Sequence, residues 1–468
     1  MPVRGKHLKR IGWPRKLLMV AQDAVRRAEE AGMTSAAILD GLGQVLRDPA
    51  AFTGHEHFAG AAEALVAAAT AARGPLRAAP APHSVWGASD LDEETLNQLR
   101  NACRLPVTVR GAQMPDGHVG YGLPIGGVVA VRNAVIPYGV GVDIACRMKL
   151  SVMLEPAGHL DAHHDELRRS LVEQTSFGIG ADFPRTSRRD HPVMSDPAWE
   201  DLPRPLADLK DNAWAQLGSS GSGNHFVEFG ELLLDREDLG LQPGRYLALL
   251  SHSGSRGFGS HIAQHFTRLA MELNPLPHDF RHLAWLDLDT DAGRDYWAAM
   301  ELAGRYAAAN HDLIHRHVLA ACGLRPFVQV ENHHNFAWLE EHDGETLVVH
   351  RKGATPAGEG VLGIIPGSMG TPGYVVRGRG NTASLNSAAH GAGRRMSRSA
   401  ARRQLRRDVM REALLKAGVE LIAGGLDESP HVYKDIDSVM AAQKDLVRPV
   451  ARFMPRLVLM ADEGTSED

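Results

Sequence analysis

Asp143 and Cys146 in "GVGVDIAC", His225 in "GSGNHFVEF", His252 in "LLSHSGSRG" and the pair His333 and His334 in "VENHHN" are residue types that bind transition metals. Each sits where a short apolar run meets a glycine-rich or polar loop. Taken singly they have ordinary explanations: an isolated cysteine packs as a small hydrophobe, and an isolated histidine at a strand end hydrogen-bonds its surroundings. Taken together, at similarly punctuated junctions, they point to metal. Side chains fixed at the ends of strands can converge on one point, as ligands must. Cysteine and histidine alone favour zinc. A thiolate can also bridge two ions, which then lie roughly 3.5–4 Å apart.

A second centre of chemistry is His390, in "SLNSAAHGAGRRMSRSAARRQLRR" (384–407). Serine, alanine and glycine surround it, so little bulk shields the imidazole. The loops "PGSMGTPG" (366–373) and "HGAGR" (390–394) let backbone N–H groups approach phosphate oxygens closely. Neither continues as GK[ST], so neither is a Walker A loop. The histidine is followed by Arg394, Arg395, Arg398, Arg402, Arg403, Arg406, Arg407 and Arg411, with Asp408 the one acid among them. A continuous helix would put 398, 402 and 406 on one face and 403, 407 and 411 on another. Such a face is either a solvated surface or a track for a phosphate backbone.

These residues need a framework of strands and helices. From about residue 100, β-branched runs such as "GGVVAVRNAVI", "RYLALL" and "VLGIIP" end in glycine-rich loops, and helical stretches such as 294–323 intervene. No regular βαβ beat is visible, so the expected class is α+β with a mixed sheet. Residues 1–85 read differently: helices, then the Pro/Ala-rich linker "GPLRAAPAPHSVWG" (74–87), forming an N-terminal extension to a catalytic segment, 86–468. The formal net charge of −5 excludes wholesale coating of nucleic acid, so any polyanion site is a local patch. Three cysteines cannot make a disulfide framework. No stretch is long and apolar enough to span a bilayer, and the basic N-terminus lacks a signal-peptide core, so the expected location is cytoplasmic.

The ordered motifs "QMPDGHVGYGLPIGGVVA" (113–130), "GVGVDIAC" (139–146), "GSGNHFVE" (221–228), "HSGSRGFG" (252–259), "NHHN" (332–335), "PGSMGT" (366–371), "HGAGRRMSR" (390–398) and "YKDID" (433–437) together resemble the RtcB RNA ligases. The resemblance implies an α+β fold around a buried dinuclear manganese site. It implies joining of RNA 3′-phosphate or 2′,3′-cyclic phosphate ends to 5′-hydroxyl ends with GTP, as in tRNA splicing or RNA repair. On that footing Cys146 bridges two Mn²⁺ ions, Asp143 and His225 complete one, and His252 and His334 complete the other. His334, directly before Asn335, is preferred over His333. His390 becomes the guanylylated nucleophile. Asn224, Phe226, Glu228, Asn335, Pro366, Gly367, Ser368, Met369, Gly391, Ala392 and Gly393 form the GTP pocket. Arg256, Arg394, Arg398 and Arg402 take the RNA backbone.

Three positions depart from the family pattern. Arg147 replaces a glycine beside the bridging cysteine, where it could crowd the metals or add a phosphate contact. Gly373 replaces a serine, and Met460 stands where a lysine contacts the guanylate. These leave two alternatives to ligation: a metal-dependent hydrolase of RNA end phosphates, or an RNA-end-binding protein without turnover.

Overall fold

The structure is a computed structural model that describes residues 3–14, 17–73 and 75–462. Gly74, the first residue of the expected linker, and residues 463–468 of the catalytic segment lie outside the described residues.

The fold is mixed α+β, built on an eight-stranded sheet and a five-stranded sheet. The larger sheet runs in the order Leu362–Ile365, Gly373–Gly378, Val447–Met460, Phe226–Leu234, Gly244–Ser253, Arg147–Pro156, Val328–His333, with Glu420–Ala423 pairing beside Val447–Met460. It curls until it nearly closes. The two end strands are stitched by Asn332, whose Nδ2 donates to Ile364 O at 3.2 Å and whose Oδ1 accepts from Ile364 N at 2.8 Å.

Both faces of this sheet are covered, which is why "RYLALL" reads as a continuous apolar run. Leu247 and Leu249 pack outward with Ile314 and Val318 of the long helix Asp291–Ala321. Ala248 and Leu250 pack inward with Met148, Leu150, Ile364 and Phe453. Each fully buried leucine contributes about 1.5–3 kcal/mol. Thr290 starts the long helix by accepting from Gly293 N at 3.2 Å.

The five-stranded sheet, His83–Val85, Thr108–His118, Ile125–Val131, Glu345–Lys352, Asn335–His342, stands beside it. Asn335–His342 starts one residue after His334, so the chain passes directly from one sheet to the other there.

The N-terminal helices Gly5–Arg10, Leu18–Glu30, Ser35–Arg47 and Ala59–Arg73 have their own core, centred on Leu8, Trp13, Ala28, Ile38, Leu42 and Phe58. The segment after them follows the catalytic body: Arg77 N donates to Arg104 O and Ala81 N to Cys103 O, both at 2.8 Å. His83–Val85, placed at the end of the extension by the sequence, is a paired edge strand of the five-stranded sheet.

Two expectations fail here. The arginine run is not one helix: Arg398–Gln404 and Arg407–Ala417 are separated by extended backbone at Leu405 and Arg406. Arg398 and Arg402 share a face, but Arg406 leaves it and Arg403 is cut off from Arg407 and Arg411. Stacking like charges over successive turns is unfavourable, and the break relieves it. Arg147 does not turn toward the side of its strand where the cysteine's neighbours gather. It points to the helix side of its strand, with Nη2 3.4 Å from Gly304 O and Nη1 3.4 Å from Glu331 Oε1.

Candidate active site

Four strands adjacent in the curled sheet end at one point. His225 precedes Phe226–Leu234, His252 lies near the end of Gly244–Ser253, Cys146 precedes Arg147–Pro156, and His334 follows Val328–His333. The register pairs Phe226 and Met148 with His252, and Arg147 with His333. Side chains alternate along Gly244–Ser253: Ala248 and Leu250 face the inside of the curl, and Leu249 the outside. His252 follows Leu250 by two residues, so it points inward as well.

Cys146 Sγ lies 3.4 Å from His225 Nε2 and 3.0 Å from His252 Nε2. His252 Nε2 lies 3.2 Å from His334 Nε2, and His225 Nε2 lies 3.1 Å from Asp143 Oδ2. Cys146, His225 and His252 thus form a buried group whose ligand atoms all fall within 4.8 Å of one another, with Asp143 on one flank and His334 on the other. His333 turns away and packs against Phe336 and Trp338.

The group fits a cation. His225 Nδ1 donates to Ser220 O at 2.8 Å and His252 Nδ1 to Asn224 O at 3.0 Å. A carbonyl only accepts, so each Nδ1 carries a proton and Nε2 is the ring atom turned toward the thiol. Burial holds His252 down to about 3 and His334 well below the usual histidine range, so both stay in the ligand form. Asp143 Oδ2 and His334 Nδ1 are buried with no hydrogen-bond partner among the described residues. Burial also pushes the Cys146 thiol up, so a nearby cation is what makes it a thiolate. The cluster has more lone pairs than protons to share, and a divalent metal satisfies it. The backbone is built closely around it. Ser255 N donates to Asp143 Oδ1 at 3.1 Å, and a side chain at Gly254 would overlap that carboxylate. Ala145, next to Cys146, holds a left-handed φ of 56°, of the kind that clusters at functional sites.

His390 faces this group, its ring centroid 4.9 Å from that of His334. Asp116, whose side chain is fully buried, holds it: Oδ2 accepts from His390 Nδ1 at 2.7 Å, His390 N at 3.0 Å and Gly391 N at 3.3 Å. With its proton on Nδ1, the ring presents Nε2 as a lone pair. Lys434 of "YKDID" fixes the turn around Asp116 by donating to Pro115 O at 3.1 Å and Gly117 O at 2.8 Å. Asp116 is the functional residue that the sequence reading misses. Its signal is "QMPDGHVG", a motif that the resemblance includes without giving the aspartate a role.

Residues 98–461 match the family model described as "tRNA-splicing ligase RtcB". The chain belongs to the RtcB family. It is 35% identical over 406 residues to RNA-splicing ligase RtcB of Escherichia coli, covering 79% of this chain and 95% of that one. It is 32% identical over 440 residues to tRNA-splicing ligase RtcB of Thermococcus kodakarensis, covering 78% and 90%. It is 34% identical over 440 residues to RNA-splicing ligase RtcB of Mycobacterium tuberculosis, covering 76% and 98%.

In this RtcB-family chain the metal-capable group and His390 open on a cavity of about 390 Å³. Asn224, Phe226, Glu228, Asn335, Pro366, Gly367, Ser368, Met369, Gly391, Ala392 and Gly393 all line it. Several are already engaged. Asn335 Nδ2 donates to Asp143 O at 3.2 Å and its Oδ1 accepts from Gly353 N at 2.7 Å, so it braces the metal loop. Ser368 Oγ pairs with Thr371 Oγ1 at 2.9 Å. Burial pushes the Glu228 carboxyl up. Gly373 and Met460 line the cavity too. Met460 packs with Met369, Met410, Leu414 and Val458, which makes that end apolar.

The arginines expected to take the RNA backbone lie in different surroundings. Arg256, Arg394 and Arg398 line the cavity, whereas Arg402 does not. Asp408 pairs with Arg406 at 2.6 Å, and the arginines nearer the cavity are balanced from elsewhere. Arg398 and Arg402 reach Asp427 Oδ2 at 3.2 and 2.8 Å, and Arg394 Nη1 reaches Glu428 Oε1 at 3.2 Å. Both carboxylates are buried and lie well along the chain from the run. Arg256 is buried as well, with Nε donating to Ser219 Oγ at 3.2 Å and Nη2 to Gly178 O at 3.3 Å.

Proposed function

We propose that this chain is a GTP- and Mn²⁺-dependent RNA ligase that joins 3′-phosphate or 2′,3′-cyclic phosphate ends to 5′-hydroxyl ends through a guanylylated His390. The observation that carries this reading is the Nε2 lone pair of His390, held by Asp116 and facing the Cys146, His225, His252 and His334 group in one cavity. Asp143 and His225 would hold one ion, His252 and His334 the other, with Cys146 Sγ shared. Mn²⁺ bound there would supply Lewis-acid stabilisation of charge on phosphoryl oxygens. The names of the relatives support the ligase class. Among the described residues no helix is long and apolar enough to cross a membrane, and we place the reaction in the cytoplasm.

The chain's own residues then act in sequence. His390 Nε2 forms a bond to the α-phosphorus of GTP, and the bond from that phosphorus to pyrophosphate breaks. Asp116 accepts the Nδ1–H hydrogen bond throughout and stabilises the positive charge that develops on the ring. The glycine-rich 390–393 loop leaves room for in-line approach. An RNA 3′-phosphate oxygen next takes the GMP and releases the imidazole. The 5′-hydroxyl oxygen attacks the activated phosphorus, its proton passes to solvent, and GMP leaves. A cyclic phosphate is first opened by water. Arg394 and Arg398 line the cavity and would meet the RNA backbone there.

The test is incubation with α-labelled GTP and Mn²⁺, followed by denaturing electrophoresis. An acid-labile covalent label is expected, as a P–N bond requires. If no nucleotide labels the chain while cyclic phosphate ends are opened without GTP, it is a hydrolase. Met460 and Gly373, which change the cavity wall, are the observations that favour that second reading. Asp116→Asn should slow labelling roughly 10–100-fold, as loss of an orienting carboxylate does. Half-saturation by GTP should move little, because Asp116 lies behind the ring; a large rise in that constant with an unchanged rate would assign Asp116 to nucleotide binding.

A further inference from the structure

Three aromatic rings around the loop between His118 and Ile125 take no part in the chemistry above. Tyr138 and His282 have ring centroids 4.9 Å apart, and Tyr121 lies 5.8 Å from His282 and 6.2 Å from Tyr138. Tyr138 and His282 are half-buried, but Tyr121 is 67% exposed. An exposed ring on a loose loop would mean little, and this loop is fixed. The buried Lys352 donates from Nζ to Tyr121 O at 2.7 Å and lies 4.8 Å from the centre of the Tyr138 ring. Gln98 clasps Gly120, donating to its carbonyl at 2.6 Å and accepting from its N–H at 2.9 Å. Gly122 has a left-handed φ of 72° and lies so close to His282 that a Cβ would come 2.8 Å from the His282 carbonyl oxygen.

The same loop runs into the catalytic cavity. His118 and Ile125, on either side of it, line that cavity. Gly353, the residue after Lys352, sits against His390: a Cβ there would lie 3.2 Å from His390 Cε1. The exposed Arg281 adds a cation next to these rings, its Nε 3.2 Å from His282 Nε2. A flat exposed ring, packed edge-on by two others, next to a cation and continuous with a phosphate-handling cavity, matches the chemistry of a base followed by its phosphate.

We propose that Tyr121, backed by Tyr138 and His282, is a stacking platform for a base at or next to the RNA end that reacts at His390. This rests on the ligase reading above and adds to it a base contact that is indifferent to sequence.

The test titrates end-labelled strands, one with a 3′-phosphate and one with a 5′-hydroxyl, against the wild-type chain, Tyr121→Ala and Tyr121→Trp. Each strand is also made with a single abasic site at its terminal or penultimate nucleotide. Tyr121→Ala should weaken binding of one strand roughly tenfold. One abasic site should cause the same loss in the wild type, the two losses should not add, and Tyr121→Trp should restore affinity. Wild-type affinity in Tyr121→Ala, or losses that add, overturns the platform. Joining assays on the same samples separate the two readings. Strands joined with Tyr121 making no difference sink the platform alone, and a wild-type chain that binds no RNA sinks both.

Discussion

His390→Ala should take up no label from α-labelled GTP, a fall of at least about 10⁴-fold, on the scale of removing a nucleophile. Three neighbours that could attack are otherwise engaged. Cys146 is buried and its sulfur would be taken up as a metal ligand under the Mn²⁺ of the assay, and His334 turns Nε2 toward His252 at 3.2 Å. Lys352 directs its Nζ to the Tyr121 carbonyl. The fold should survive, because Asp116 keeps its hydrogen bond from Gly391 N and from the backbone N–H of residue 390. Loss of label in a chain that melts like the wild type is therefore the expected result. A label that persists in the variant would remove His390 from the mechanism, and peptide mapping of that label would name the true nucleophile.

Cys146→Ser should empty most of the metal group. Serine has almost the volume of cysteine, but its hydroxyl does not become an anionic ligand at neutral pH. His225 and His252 then face each other's lone pairs without the sulfur between them. Divalent-ion affinity should fall by at least about 100-fold, beyond the 10–100-fold typical of an outer partner. Metal analysis of the purified chain gives the stoichiometry. Cobalt substitution gives a second readout, since the sulfur-to-metal charge-transfer band should be present in the wild type and absent in Cys146→Ser. A variant that keeps its full metal content would exclude sulfur as the shared ligand.

Much of this site is legible in the sequence. Asp143, Cys146, His225, His252 and His334 sit at junctions that the apolar runs and glycines mark, and a strand end is a fixed place for a ligand. The mixed α+β class follows from the same runs. The side of a strand on which Arg147 lies is not legible, because it depends on a one-residue difference in where that strand begins. The break at Leu405 and the ion pairs to Asp427 and Glu428 are hidden for another reason. Composition within a segment is silent about charges brought in by a distant one, and those two acids follow the run by a further helix and strand. Asp116 is hidden similarly: it is 274 residues from His390, and an aspartate beside a glycine reads locally as a turn.

The placement of the donors at the ends of four adjacent strands has an order of events built into it. Asp143 and His334 are far apart in sequence and are brought to one end by the pairing of Arg147–Pro156 with Val328–His333, and His225 and His252 join them only when Phe226–Leu234 and Gly244–Ser253 also pair in register. A slip of one residue in Gly244–Ser253 would send His252 to the outer face and bring a serine in its place. A half-folded chain therefore offers an ion one or two donors at a time, little better than any stray histidine. Capture of an ion would therefore come last, and would favour the chains that have already folded correctly.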